Sequence, residues 1–591
     1  MDWCGDGGRR SWRSRGAASA SGLWIGAAMG ALAAPLRWGY MTYLSFSSFP
    51  FLTLLILSPL VGAALVGLGA WLRVSDGLAK TAAVLWSLVP LGIALAVWAG
   101  FDSGAVVQGQ GVVQFVEKLP WINAVRVEYF LGVDGISMPL VLLTAVLTPV
   151  AMLASFGVQQ RPRAFFALLF LLEAAMLGYF VALNFFFFFL FWEFSLVPAF
   201  FLVQSWGRGE NQRQRAALLF FVMTVAGSLG LLLLFQVFYV ATAAANIPTF
   251  DLITLGRLGQ GLEPELPNMQ TILFNFANQS GVANLLGQNP LLYSGIAFWA
   301  IFLAFAIKLG VWPLHIWLPD TYTEAPTAGS MLLAGVMSKM GAYGMLRILL
   351  PFVPEAAQYF APVVAALALA GILAGAFGAL AHTRGDIKRL IAYTSINHMG
   401  YVALAVAAVA AAGTGDATSR AIAINGALMQ MVAHGLSTAA LFLLAGVLFE
   451  RTGTWNLREM GGLRRAAPLF AGVFGVALFA NLGLPGLAGF VGELMIFRGA
   501  WAVLPVFTLL ATLGLVITAL ALLRMFGQIF HGPANPRLSN MADLRLNNRD
   551  MLAVAPLLAL LLLFGIYPAP LLDLSNAAAV ALGEVFARLV G

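Results

Sequence analysis

The sequence predicts an all-α membrane protein with about fourteen transmembrane helices. Three observations carry that prediction. Of 591 residues, 61% are hydrophobic and only 10% are charged, where a soluble protein has roughly a quarter charged; mean hydropathy is +0.89. Apolar stretches long enough to cross a bilayer recur along the chain, and basic residues gather in alternate loops. A chain this long and this apolar cannot hide its apolar surface in one water-facing globule.

The spans, at about 20 residues each, fall near 49–71, 82–100, 133–156, 163–182, 184–206, 214–242 and 291–312. They continue near 325–350, 357–380, 386–411, 418–449, 466–495, 500–530 and 551–572. If residue 49 starts outside, the inner loops carry Arg73, Lys80, Arg161, Arg163, Arg208, Arg213 and Arg215. Later inner loops carry Arg384, Lys388, Arg389, Arg451, Arg458, Arg464, Arg465, Arg537, Arg545 and Arg549. The outer loops hold Lys118, Arg126, Arg257, Arg420 and Arg498. This roughly threefold bias fixes the orientation, and it accounts for the net charge of +7 without nucleic acid.

The tail at 1–40 breaks the pattern with Arg9, Arg10, Arg13 and Arg15 before an Ala/Gly-rich run. One reading is a signal-like or extra membrane segment; the other is translation beginning at Met41. The second is preferred, because a basic tail outside contradicts the remaining loops. Residues 101–131 alternate apolar and polar and predict a short external hairpin. Residues 243–290, rich in Asn, Gln, Gly and Pro, predict an exposed loop. The one cysteine, Cys4, excludes disulfides, thiolate zinc sites and cysteine-bound iron–sulfur clusters within the chain.

The informative residues are ionisable ones at membrane depth, where an ionised group costs roughly 2.5–3.5 kcal/mol even on the lenient scale. Glu193 lies mid-span in FFFFFLFWEFSLVPAFF, with Pro198 loosening the backbone ladder nearby. Glu173 lies mid-span in FLLEAAMLGYF and could simply pair with a neighbour. Lys308 precedes Pro313 in FLAFAIKLGVWPLHIWLPD, where the proline breaks the helix. Broken helices at this depth line cavities or water, and a lysine there can exchange its proton; snorkelling is the alternative. His315 follows Pro313 closely. Lys339 in MLLAGVMSKMGAYGML is too deep to snorkel comfortably.

His398 in IAYTSINHMGYV and His434 in QMVAHGLSTAALF sit mid-span on consecutive helices. Either ring nitrogen can relay a proton, although core hydrogen bonding and haem ligation are alternative uses. Glu493 follows a second Gly/Pro interruption, GLPGLAG. Paired interruptions of this kind are the trace of an inverted-repeat transporter. Other charges read as structural: Asp386 and Asp134 as helix caps, Lys388 and Arg389 as anchors at the inner interface, and His531 as a solvated helix end.

The runs FWEFSLVPAFFL, FAIKLGVWPLHIWLPDTYTEAPTAGSMLLAGVMSKMGAYGMLR, DIKRLIAYTSINHMGYV, MVAHGLSTAALFLLAGVLFER and GLPGLAGFVGE occur in that order. Over about residues 49–572 the chain closely resembles subunit M (chain 4) of proton-translocating NADH:quinone oxidoreductase, respiratory complex I. That superfamily includes Mrp-type Na⁺/H⁺ antiporters. The resemblance implies fourteen spans with two inverted five-helix repeats, at 161–350 and 351–531. Residues 1–48 would be an N-terminal extension, 49–160 the first helices with the hairpin, and 532–591 a loop and last span. It also implies a proton path: Glu193 paired with Lys308, then Lys339, His398, His434 and Glu493, with Glu173 as a further carboxylate. His315 joins them from its place in the break.

The implied function is proton translocation coupled to quinone reduction, with an Mrp-type cation/proton antiporter subunit as the alternative. The chain would carry no cofactor itself; NAD, FMN and iron–sulfur clusters would belong to partner subunits. Its partners would be other membrane subunits, the bilayer and protons, and its place the cell's inner (plasma) membrane. One departure stands out: Leu219 occupies a position where the family often has a lysine, so Arg213 or Arg215 would have to replace it.

Overall fold

Side-chain caps and helix breakers set most element boundaries. The structure, a computed structural model, describes residues 49–107, 110–412, 416–533, 535 and 545–590. The expectation for residues 1–48 falls outside these. Helix α1 is Phe51–Trp71, and α2 is Asp76–Ala99. Strands β1 (Gln114–Ile122) and β2 (Val127–Val133) form the expected antiparallel hairpin, which turns at Arg126 in the left-handed region. The Glu117 carboxylate on β1 accepts Leu52 N at 2.7 Å and Thr53 N at 3.0 Å. The hairpin thereby satisfies donors that the first turn of α1 would leave open.

Helices α3 (Met138–Ala154), α4 (Pro162–Val181), α5 (Phe185–Trp206) and α6 (Glu210–Ala244) follow. Residues 243–290 depart from the expected exposed loop. They contain α7 (Leu252–Gly259), α8 (Met269–Gln279) and α9 (Val282–Leu286). Asp251 and Asn268 cap α7 and α8, and each buries a short apolar stripe, such as Leu252, Leu255 and Leu258. Asn and Gln mask that stripe in a composition reading, but its helical period is enough to bury one face.

Helix α10 (Pro290–Leu309) stops at Gly310, α11 (Trp317–Glu324) resumes the path, and α12 covers 327–352 with π-helical turns at Leu333–Met337 and Met345–Leu349. Next come α13 (Pro354–Ala381), α14 (Ile387–Ala410) and α15 (Ala417–Thr452). A second interrupted pair, α16 (Pro468–Leu482) and α17 (Ala488–Trp501), breaks at Gly483. Gly310 (φ +86°) and Gly483 (φ +80°) end their half-helices in the left-handed conformation that glycine tolerates best.

The chain closes with α18 (Pro505–Phe530), α19 (Asn548–Ile566) and α20 (Ala569–Val590). The expected last span, 551–572, thus ends earlier, and α20 is a separate helix. Tyr567 and Pro568 separate the two, and Pro570 lies in the first turn of α20.

Thirteen helices among the described residues are long and apolar enough to cross a bilayer, so the protein is a multi-pass membrane protein. Burial locates the centre. In α14 and α15, 94% of the apolar window is buried, against 28% in α19. The helices that carry His398 and His434 are therefore the most buried of these spans.

Candidate functional site

Two polar clusters occupy the interior. The first lies where α5 bends at Ser195, the junction of its two helical halves. Pro198 has no N–H to give Phe194 O, which weakens the ladder at this bend. Lys308, 1% exposed, enters there from the last turn of α10. Its Nζ donates to Trp192 O at 3.0 Å and Ser195 Oγ at 2.8 Å, and sits 3.8 Å from the Trp192 ring centroid. These residues flank Glu193. The expected direct Glu193–Lys308 contact is not among the described ion pairs, and Glu193 Oε1 is buried without a hydrogen-bond partner. The ammonium instead takes backbone and hydroxyl oxygens on either side of the carboxylate, so each group remains within the other's field but unbonded.

The second cluster joins four expected residues. Lys339, fully buried on α12, donates to Ala334 O at 2.5 Å, a carbonyl inside the π-helical turn. Its Nζ lies 2.6 Å from His434 Nδ1 on α15. His434 and His398 stand 5.4 Å apart between ring centroids. His398 Nδ1 is 3.0 Å from Glu493 Oε1. Lys339, His434, His398 and Glu493 thus form a continuous row across α12, α15, α14 and α17.

A neighbouring amide fixes one proton of His398. Asn481 donates through Nδ2 to Ser437 Oγ at 3.2 Å and Thr438 Oγ1 at 3.3 Å, which turns its Oδ1 toward His398 Nε2 at 3.3 Å. An oxygen facing that nitrogen requires Nε2 to carry a proton. Nδ1 then faces Glu493, and a favourable contact needs one proton between them. Either the imidazole is protonated beside a carboxylate, or a carboxylic acid donates to a neutral imidazole. Gln430 Nε2, 3.3 Å from both His398 Nδ1 and Glu493 Oε1, holds the two together. His434 presents Nδ1 to the lysine, while its buried Nε2 has no hydrogen-bond partner.

Two expected residues stand apart. Glu173 is fully buried on α4, with neither carboxylate oxygen hydrogen-bonded. His315 sits in the break between α10 and α11, half-buried beside Trp312 (40% exposed) and Ile316 (54% exposed). Its buried Nδ1 has no hydrogen-bond partner. Neither substitute for the absent lysine reaches Glu193: Arg213 donates to Gly207 O, and Arg215 is exposed.

Three charges placed near the ends of spans are buried. Lys388, 1% exposed, donates to Ala325 O rather than anchoring at the interface. It lies in a group with the Arg208–Asp386 and Arg389–Asp320 pairs. Arg420, assigned to an outer loop, is fully buried and donates to Val409 O and Ala411 O at the end of α14. Asp134 caps the entry to α3 as expected, but it also pairs with Arg347, a residue the sequence analysis does not single out. The Lys339–Arg347 spacing of eight residues in one apolar stretch was the available signal. Among the described residues, no group of three or more His, Cys, Asp or Glu side chains is placed to hold a metal ion.

A bundle of apolar helices with two breaks, crossed by a row of lysine, histidine and carboxylate, defines the antiporter-like class of membrane subunits. The family described as "NADH:quinone oxidoreductase/Mrp antiporter" matches residues 182–518, and "NADH-ubiquinone oxidoreductase chain 4, amino terminus" matches 111–184. The chain belongs to this family of antiporter-like subunits, as a subunit M (chain 4) type member.

It is 36% identical to NADH-quinone oxidoreductase subunit M of Escherichia coli over 535 residues, covering 89% of this chain and 96% of the relative. It is equally 36% identical to F(420)H(2) dehydrogenase subunit M of Methanosarcina mazei, over 89% of this chain and 96% of that one. Among solved structures, a chain of respiratory complex I from Thermus thermophilus matches with a TM-score of 0.71 and 27% identity, over 91% of this chain and all of that one. A chain of the Mrp complex from a Dietzia species shares the fold, with a TM-score of 0.71 at 21% identity.

Proposed function

We propose that this chain is a proton-translocating membrane subunit of an NADH:quinone oxidoreductase, residing in the cell's inner (plasma) membrane beside other membrane subunits. The observation that carries the reading is the unbroken contact row Lys339–His434–His398–Glu493, sealed inside the most buried helices. Fourteen spans arranged as two inverted five-helix repeats, at 161–350 and 351–531, would place one broken helix in each half. Residues 49–160 would form the leading helices and 532–591 the closing segment.

In this reading Glu193 sets the charge state of Lys308. When the two approach, each stabilises the other's ionised form; when they separate, the lysine gives up its proton. The proton passes to Lys339, then to His434 Nδ1, His398 and Glu493, and so to the outer surface. Water bridges the steps from Lys308 to Lys339 and from His434 to His398, where no direct bond exists, and Glu173 and His315 act as side reservoirs. The electrons flow in partner subunits that hold NAD, FMN and iron–sulfur clusters, and the free energy arrives through contacts with them.

The test is Lys308→Ala in the assembled complex, with protons moved per quinone reduced as the readout. A clear fall is expected; full stoichiometry would reject the proposal. The shared fold with the Mrp complex supports a second reading as a cation/proton antiporter subunit. Transport that depends on Na⁺ and continues without quinone reduction would favour it.

A further inference from the structure

The buried Asp134–Arg347 pair is left unused by the conduction row. Their side chains are 8% and 9% exposed. Asp134 is the rigid half: its Oδ1 accepts Ile136 N at 3.1 Å and Ser137 N at 3.0 Å, and Ser137 Oγ accepts its own N–H at 3.0 Å. The adjoining Gly135 lies so close to Leu574 O on α20 that a Cβ would stand 2.2 Å from that oxygen. Arg347 is the half on a long side chain, within the π-helical turn Met345–Leu349. Its Nε donates to Tyr343 Oη at 3.2 Å, and Tyr343 donates to Phe180 O at 3.2 Å.

Lys339, Tyr343 and Arg347 climb α12 at four-residue intervals. The Tyr343 hydroxyl touches Arg347 directly, while the Lys339 ammonium turns to Ala334 O and His434, so water joins it to Tyr343. The climb from Lys339 to Arg347 is about 12 Å, at 1.5 Å per residue. It ends at the start of α3, on the side opposite the arginine-rich loops. The wider π turn rotates less per residue, which brings Arg347 back toward the face that carries Lys339. A buried ion pair rarely adds net stability over apolar packing, so folding alone gives little reason for this one. Its position does: with Tyr343, its arginine stands outward of Lys339 on the same helix.

Resting on the conduction reading above, we propose that the Asp134–Arg347 pair is the outer gate of the Lys339 column. It bars passive return of protons from outside through the Tyr343 hydroxyl. When the arginine swings from Asp134, the column opens; when it re-pairs, the column closes. Both residues act as positioning residues rather than carriers.

The experiment uses the whole complex in sealed liposomes without electron donor, with passive proton entry read by a trapped pH-sensitive dye. Asp134→Asn should raise that entry at least about tenfold, the effect of lowering a barrier by about 1.4 kcal/mol. The charge-swapped double variant Asp134→Arg/Arg347→Asp should restore tightness. Adding Lys339→Ala to Asp134→Asn should abolish the leak. Arg347→Lys keeps the charge but loses the two-pronged geometry, and should leak measurably even if Asp134→Asn does not assemble. Vesicles as tight as wild type for both single variants would overturn the gate, as would a leak that survives Lys339→Ala. Failure of the conduction reading shows itself separately, as undiminished pumping in Lys308→Ala.

Discussion

Replacing Glu493 by glutamine removes an exchangeable proton site while keeping its shape. The side chain lies 3.0 Å from His398 Nδ1 and 3.3 Å from Gln430 Nε2. Glutamine can still donate an N–H to Nδ1, so the geometry of α14 against α17 is retained. It can neither take the proton nor hold the negative charge that draws it. The charge-assisted hydrogen bond forfeited is worth about 1.5–3 kcal/mol, which corresponds to roughly 10–160-fold in proton transfer at that step. Glu493→Asp makes a second, graded case. Losing one methylene withdraws the carboxylate by about 1.5 Å, beyond direct reach of His398, so transfer must pass through water. The assay is proton uptake by vesicles carrying the complex, divided by quinone reduced. The expected order is wild type, then Asp, then Gln. Glutamine pumping at the wild-type ratio in a fully assembled complex would refute the assignment of Glu493 as a carrier.

Gly483→Ala should injure the same carboxylate from the other side. Its Cβ would meet Glu493 Oε2 at 2.5 Å, at a φ of +80° that costs an L-residue about 1–2 kcal/mol; a lower pumping ratio with modestly lower thermal stability is expected. Glu117→Gln should weaken the anchoring of the hairpin to α1, since its carboxylate holds Leu52 N and Thr53 N. A loss of about 1–2 kcal/mol is expected, seen as earlier proteolysis of the outer hairpin, with pumping per turnover unchanged.

The residues of the row were legible because hydrocarbon makes charge expensive. Lys308, Lys339 and Glu493 stand out from their apolar runs without any knowledge of contacts. The two breaks were legible for a similar reason, since Pro313 and the Gly/Pro run at 483–486 cannot continue a helix. Partnerships were not legible. Asp134 and Arg347 are 213 positions apart, and a lone arginine near a span end reads as snorkelling. The burial of Lys388 and Arg420 was not legible for the same reason. Hydropathy does not distinguish an ammonium in headgroups from one bonded to carbonyls at a helix end, such as Ala325 O. The amides that decide protonation at His398, Gln430 and Asn481, are uncharged, so the cost that exposed the lysines did not mark them. The helix at Ala569–Val590 escaped because Asp573, Glu584 and Arg588 dilute its apolar face.

The central claim is that a proton crosses this chain through side chains in contact deep within the bilayer, and Lys339 is the residue through which the row begins. The measurement is the number of protons moved per quinone reduced by vesicles carrying the complex with Lys339→Ala, alongside the rate of quinone reduction. The account predicts that the proton count falls while the assembled complex still reduces quinone. An undiminished count, with the variant subunit present in every complex, would contradict it.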